Sequence, residues 1–379
     1  MNMNKRLKSG SFLIAGLFIL LFSCSKNSSD SGPEEDPDAF DKTAMLTNYA
    51  DNIIIPAYQH LQEDLDALTI AVNAFTDAPS IATQDAVKAS YTHAYLSYEN
   101  IEVFNFGPAG AALLDYYANF SGGLNYSFTE NGVLAGYTVD SVSIENNITS
   151  GNYDLTVYER NNFYSQGFPA LGYLLFGPDA IAKFNNNTAN RVKYLKDVAQ
   201  RMKTLVDKIV SDWSTYRSTF IANTKSDVGS PIGNMVNMLA FQMDMMKGPR
   251  IGWPFGKQSN GIVFASKSEA YFAGIGSELA GANIKSLKNT FVGGTGSKGI
   301  SGYLVSLNKE TLNNDVLAQF DMVIGKIEAI PDPLSTSFTE DADKVEEAYK
   351  EIQKLLTLLK TDISSALGVQ ISFMDNDGD

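Results

Sequence analysis

The stretch Asn190 to Phe220, NRVKYLKDVAQRMKTLVDKIVSDWSTYRSTF, decides the fold class. Its apolar residues Val192, Leu195, Val198, Met202, Leu205, Ile209, Trp213, Tyr216 and Phe220 recur at steps of three and four, which gathers them on one face of a helix. The same spacing runs through Leu46, Tyr49, Ile53, Ala57, Leu61, Leu65, Leu68, Val72 and Phe75, predicting a long N-terminal helix. Pro56 falls inside it and has no N–H to donate, so a kink or break is expected near Ile53. Ser80 is placed to cap a second helix, which runs to about Phe104 and ends at Gly107-Pro108. Ser230-Pro231 opens another, which reaches Lys247 and is stopped by Gly248-Pro249. Shorter helices are expected around Glu269 and over Asn283 to Phe291. Two long ones are expected over Lys309 to Ile330 and Asp341 to Leu367, the last capped near Thr339 or Glu340. Few segments alternate strictly, so the fold reads as all-α.

Residues 109–160 break the helical period and are rich in Gly, Asn, Ser and Tyr, with short helical turns expected near Asp115 and Ile144. A connection this long in a compact domain is more often functional than idle. Further loops are expected over Gly248 to Gly261 and Gly293 to Gly302. Met235, Met238, Met243, Met245 and Met246 crowd one helix. Soft thioethers suit copper, but gap-filling in a core is the preferred reading.

The N-terminus reads as an export signal, with Lys5, Arg6 and Lys8 preceding an apolar run from Phe12 to Phe22. Leu21-Phe22-Ser23-Cys24 resembles a bacterial lipobox, so residues 1–24 are expected to be a lipoprotein signal with Cys24 lipidated. Residues 25–40, rich in Ser, Pro, Glu and Asp, then form a disordered tether. This places the folded part in the envelope of a Gram-negative-type bacterium, anchored to the outer membrane on its periplasmic or surface face. Cys24 is the only cysteine, so the fold relies on its core rather than on internal disulfides. The chain has 29 basic and 43 acidic residues, and loss of Lys5, Arg6 and Lys8 makes it more acidic still. Such a surface repels phosphate backbones, which weighs against nucleic acid as a partner, and it tolerates cations.

Gln166-Gly167-Phe168-Pro169-Ala170-Leu171-Gly172-Tyr173-Leu174-Leu175-Phe176-Gly177 is a short apolar segment closed by glycines. It resembles the signature of the imelysin family, the M75 peptidases, in which Gly-x-His-x-x-Glu precedes a Tyr-Leu-Leu-like run. Gly167 and Tyr173-Leu174-Leu175 keep that frame, while Pro169 stands at the His position and Gly172 at the Glu position. Other segments are similar to the family in the same order: Ile53-Ile54-Ile55-Pro56-Ala57-Tyr58 and Ser97 to Pro108, where Asn105 replaces the usual Arg. Pro249-Arg250-Ile251-Gly252-Trp253-Pro254-Phe255-Gly256 and Glu269 to Gly274 follow. The resemblance implies two helical bundles, residues 41–183 and 184–379, related by an old duplication and packed around a shared groove.

The resemblance places Glu102 near that groove, and Glu99 lies about one turn earlier on the same helix. Glu269 matches a family glutamate in the same way. Glu102, Gly167, Phe168, Pro169, Gly172, Tyr173 and Glu269 are the candidate groove residues, with Glu99 and Glu102 the candidate oxygen ligands for a hard cation. Rigid Pro169 and space-leaving Gly172, flanked by Tyr164, Phe168 and Tyr173, suggest an open apolar surface suited to a small organic ligand or a peptide strand. The two histidines, His60 and His93, form no His-Glu-x-x-His pair, and His93 beside Ala94 and Tyr95 reads as a structural histidine. Asp375-Asn376-Asp377-Gly378-Asp379 is a weak calcium-loop start, and Gly293-Gly294-Thr295-Gly296 lacks the context of a phosphate loop.

The expected function is therefore an imelysin-like envelope lipoprotein that acts as a binding component, with iron or an iron complex as cargo, the family being implicated in bacterial iron uptake. Alternatives are a metal-dependent M75 peptidase and a surface scaffold that docks another envelope protein.

Overall fold

A computed structural model describes residues 40–121, 129–130, 133–134, 137, 139–186, 189–296 and 298–373. The expected signal, Cys24, most of the tether and the terminal acidic motif lie outside these residues. Residues from Phe40 onward form one compact unit.

In chain order the α-helices are α1 (Lys42–Asn48), α2 (Ile55–Asp77), α3 (Ile81–Glu99), α4 (Pro108–Ala112), α5 (Leu114–Ala118), α6 (Ser141–Ser150), α7 (Arg160–Phe163), α8 (Gly167–Phe176) and α9 (Ala180–Asn185). They continue as α10 (Ala189–Ala222), α11 (Pro231–Met245), α12 (Gly276–Val292), α13 (Ile300–Ser306), α14 (Glu310–Glu328), α15 (Leu334–Glu340), α16 (Ala342–Thr357) and α17 (Ser364–Leu367). The all-α expectation holds. Among the described residues, extended pairing is confined to a two-residue ladder in which Thr129 faces Leu134 and Glu130 faces Val133.

The break expected at Pro56 is a π-helical turn, Tyr49–Ile54, between α1 and α2. The Ile55 N–H reaches back five residues to the Ala50 carbonyl, a widened register that accommodates a proline entering α2. Ser80 and Thr83 cap α3 reciprocally, as the sequence suggests. The α-helical part of α3 ends at Glu99, however, and Glu102–Phe104 continues as a 3-10 turn.

One expectation fails instructively. Gly248-Pro249 does not stop α11, because Met246–Gly252 continues the helix in π register, with the Trp253 N–H on the Gly248 carbonyl at 2.9 Å. A proline within a widened turn forfeits less, since the ladder there is already rearranged. The consequence is that Arg250 sits on a helical turn and points inward, rather than in a loop. Glu269, expected on a short helix, lies instead just beyond the 3-10 turn Ala265–Lys267.

Helices α2, α3, α8 and α10 pack together on one side, and α11, α12, α14 and α16 on the other. Helix α10 runs along α2 and α8, so the expected boundary at 183/184 cuts between elements that pack against each other. The two groups meet where α3 crosses α12 and where the 102–104 turn meets α11. The core is continuous from Met45 to Val369 and includes Met235, Met243 and Met246, in keeping with the gap-filling reading of those methionines. No helix of the described residues is long and apolar enough to cross a membrane.

Candidate functional site

Where the two groups of helices meet, four charged side chains lie buried together. Arg250 is 1% exposed, and Glu99, Glu102 and Glu269 are 0%, 8% and 2% exposed. The Arg250 guanidinium donates from Nη1 to Glu99 Oε2 and from Nη2 to Glu102 Oε2, each at 2.6 Å. Its Nε lies 3.2 Å from Glu269 Oε2, a charge contact without hydrogen-bond geometry. Three stretches of chain, the end of α3, the 102–104 turn and the segment before α12, thus converge on a cation carried by the π turn after α11.

Neutral groups complete the network. Asn283 of α12 donates to Glu102 Oε2 at 3.0 Å, and Asn119, just after α5, donates to Glu269 Oε1 at 2.8 Å. The Tyr95 hydroxyl lies 2.7 Å from Asn119 Oδ1 and 3.1 Å from Glu269 Oε1, so its single proton serves both. The Tyr137 ring stands 5.9 Å from the Arg250 guanidinium carbon, within cation–π range.

Three carboxylates around one guanidinium leave an excess of acid in a low-dielectric setting. Burial pushes Glu102 up to about 7 against the pull of Arg250, and pushes Glu99 well above the usual carboxylate range against the same pull. Burial opposes the charge of Arg250, but Glu269, Glu99 and Glu102 outweigh it and hold the guanidinium firmly protonated. Burial thus favours the neutral forms of Glu99 and Glu102 more than an exposed site would.

Beside Glu102 opens a cavity of about 50 Å³, whose polar lining includes Glu102, Asn105, Asp115, Asn119, Ser121 and Gln242. Its apolar wall is largely aromatic, from Tyr98, Tyr116, Phe120, Tyr137 and Phe241. Burial raises the Asp115 carboxyl too, against hydrogen bonds from Asn105 and backbone amides.

The motif segment borders this cluster from α8. Phe168 stacks on Tyr95 with ring centres 4.1 Å apart and an interplanar angle of 6°. Gly167 has φ +69°, and a Cβ there would lie 2.2 Å from the Ala118 carbonyl oxygen, so only glycine lets α8 start against the strand of chain that carries Asn119. Pro169 and Gly172 line a separate pocket of about 20 Å³ with Tyr91 and Tyr137. The open apolar surface expected there is not formed. The Tyr91 hydroxyl donates to the Phe168 carbonyl at 3.2 Å and would lie 3.0 Å from a Cβ placed on Gly172.

Family comparison accounts for this architecture. The imelysin (peptidase M75) family model matches residues 54–362. The chain belongs to the imelysin family. Two solved structures share the fold. An imelysin-like protein from Psychrobacter arcticus superposes with a TM-score of 0.69 at 19% identity, covering 88% of this chain and 97% of that one. A protein from Parabacteroides distasonis, named as an iron-regulated protein A precursor, gives 0.71 at 18% identity, covering 89% and 97%. No curated protein matches the chain.

Within this imelysin-family fold the sequence candidates separate. Glu99, Glu102 and Glu269 come together, but on Arg250 rather than around an open space for an ion, and the described residues hold no group of three or more His, Cys, Asp or Glu arranged for a metal. Phe168 touches the cluster through Tyr95, while the Tyr173 hydroxyl donates to Glu145 at 2.8 Å, away from it. His93 is exposed on α3 rather than a packed structural histidine. Arg250, Asn119, Asn283 and Asp115 belong to the site without being singled out by their sequence context. Arg250 had a signal, an isolated arginine among the apolar and glycine residues of 248–256, but its inward direction depends on the π turn.

Proposed function

We propose that this imelysin-family chain is a binding component of a bacterial cell envelope, anchored through Cys24, that holds part of a small ligand in the cavity beside Glu102. The carrying observation is the cavity itself: an aromatic-walled recess of about 50 Å³ with the buried Glu102 and the half-buried Asp115 in its lining. Its size suits one end of a ligand rather than a whole cofactor, since pockets that enclose drug-sized molecules run to several hundred Å³ (roughly 300 or more).

The name of the Parabacteroides relative supports iron as the cargo. Carboxylate and carboxamide oxygens suit a hard cation such as ferric iron, while the N–H and O–H donors of asparagine and tyrosine side chains suit the oxygen ligands of an iron complex. Because Glu99, Glu102 and Glu269 are drawn onto Arg250, we read the cargo as a complex of iron and not as a bare ion seated among these three. Peptidase chemistry, as the motif resemblance implies it, rests on a His and a Glu where this chain has Pro169 and Gly172.

Calorimetric titration of the purified protein with ferric citrate, haem and a ferric hydroxamate tests the reading. Binding of at least one, weakened in Glu102→Gln, is expected; silence with all three removes iron from the proposal. For the anchor, Cys24→Ser should move the protein from the membrane to the soluble fraction, and its retention in membranes would refute lipidation there.

A further inference from the structure

The acids around the cavity outnumber the bases. Glu99, Glu102 and Glu269 share Arg250, and Asp115 adds a fourth carboxyl on the cavity wall, held by Asn105 and backbone amides. Among the described residues Arg250 meets the three glutamates but not Asp115, which is half-buried on the cavity wall, and the sequence 122–136 between the wall residues Ser121 and Tyr137 contains no lysine or arginine. Buried carboxyls without a cation are destabilising by several kcal/mol when ionised, unless they keep a proton or acquire a counter-charge. Burial raises both the Glu102 and the Asp115 carboxyl, so each holds a proton more readily than an exposed acid does.

The walls narrow the choice of counter-charge. Tyr98, Tyr116, Phe120, Tyr137 and Phe241 surround the recess, and Tyr116 and Phe120 stack at 5.4 Å. Aromatic faces attract organic cations, whereas a small metal ion gains more from additional oxygen ligands. Tyr137 already stands over the Arg250 guanidinium, so the same ring belongs to both an occupied cation site and the cavity. Asn105 Oδ1 is buried without a hydrogen-bond partner and belongs to a residue of the cavity wall, an acceptor left for a donor.

We propose that the cavity between Glu102 and Asp115 receives a protonated amine or a guanidinium, the cationic end of a small organic ligand. This deepens the reading of the cavity as the ligand site and depends on it. The cationic nitrogen donates to the Asp115 and Glu102 carboxylates and to Asn105 Oδ1, with its carbon stem against the rings. A volume of about 50 Å³ holds roughly three to five water-sized groups at roughly 10–15 Å³ each, which matches an ammonium with its first carbons or a guanidinium.

The full chain is titrated by calorimetry and ligand-observed NMR at pH 7.5 with n-butylammonium, n-propylguanidinium and the neutral isostere n-pentane. Ferric citrate, which carries no cationic nitrogen, and ferric chloride complete the panel. Asp115→Asn, which keeps the shape of the side chain, is measured alongside, with its fold checked by circular dichroism and melting temperature. Expected is binding of at least one organic cation, about tenfold or more weaker in Asp115→Asn, with the neutral isostere about tenfold or more weaker than the cations. Equal affinity for the neutral isostere, indifference to Asp115→Asn in a folded variant, or no binding of either cation would overturn the proposal. Tight ferric citrate binding that ignores Asp115→Asn, with the cations silent, would leave the iron reading standing and remove this one. Cation binding with no iron species bound would do the reverse. Ferric chloride bound through Asp115 in place of the organic cations would also overturn it, in favour of a bare-ion site.

Discussion

Glu99 and Arg250 stand 151 residues apart in the chain and meet at 2.6 Å, with their side chains 0% and 1% exposed. Neither charge has water to fall back on, so each depends on the other. The contact also joins the end of α3 to the π turn after α11, and it thereby ties the two groups of helices at the site. Such a pair is weak evidence that ionic contacts add net stability, but it predicts a large loss when one partner goes.

Arg250→Ala leaves three buried carboxyls without their cation, and a loss of about 3–5 kcal/mol is expected. Arg250→Lys keeps the charge but lacks the planar fork that reaches Glu99 and Glu102 together, so its loss should be smaller yet clear. Urea unfolding of both variants checks this. An Arg250→Ala protein within about 1 kcal/mol of wild type, the worth of a surface pair, would show the carboxyls to be hydrated.

Burial pushes the Glu102 carboxyl up to about 7 from an ordinary value of 4.5. Its folded value is raised, so the folded state binds more protons than the unfolded state between these values. The stabilisation is fully present below pH 4.5 and is lost as pH rises through 7. The stability of wild type relative to Glu102→Gln, which cannot titrate, should therefore fall from acid toward neutral pH. A difference that stays flat across that range would show the carboxyl to be unperturbed.

Restoring a glutamate at the motif position, Gly172→Glu, forces a Cβ to within 3.0 Å of the Tyr91 hydroxyl and buries a carboxylate. A loss of about 3 kcal/mol or more is expected. Removing the obstructing ring in Gly172→Glu/Tyr91→Ala should recover more than additivity allows, with a coupling of about 1 kcal/mol or more. Strict additivity in the double-mutant cycle would mean that Tyr91 is not what fills the position.

Gly167→Ala meets a backbone oxygen at 2.2 Å in a left-handed conformation, and nothing flexible can yield. We expect a loss of about 3 kcal/mol or more. The reading is checked by melting temperature, and a near-neutral alanine would mean that α8 can start elsewhere.

Asp332 caps α12 from across the chain, accepting from the Ser277 N–H at 2.8 Å and the Glu278 N–H at 3.0 Å. Asp332→Ala removes both acceptors and should cost about 1–2 kcal/mol. Because α12 carries Asn283, hydrogen exchange in its first turns should quicken in the variant, and unchanged exchange there would refute the capping role.

The sequence by itself determined the all-α class, most of the helices and the family. Apolar spacing, the Ser80 cap and the break at Pro56 are local signals, set by residues within a turn or two of one another, and their physics survives being read in one dimension. It also brought forward Glu99, Glu102 and Glu269, although not what they face. Tertiary structure alone decided that they face Arg250, because the π turn at 246–252 carries that side chain inward where the Gly248-Pro249 pair reads as a helix stop. It alone decided that Tyr91 covers Gly172, since a ring from another helix fills a space that no local pattern describes. The charge balance of the cavity belongs to the fold for the same reason. Whether a carboxyl keeps its proton depends on the burial and neighbours assembled from distant parts of the chain, and these exist only once the helices have packed.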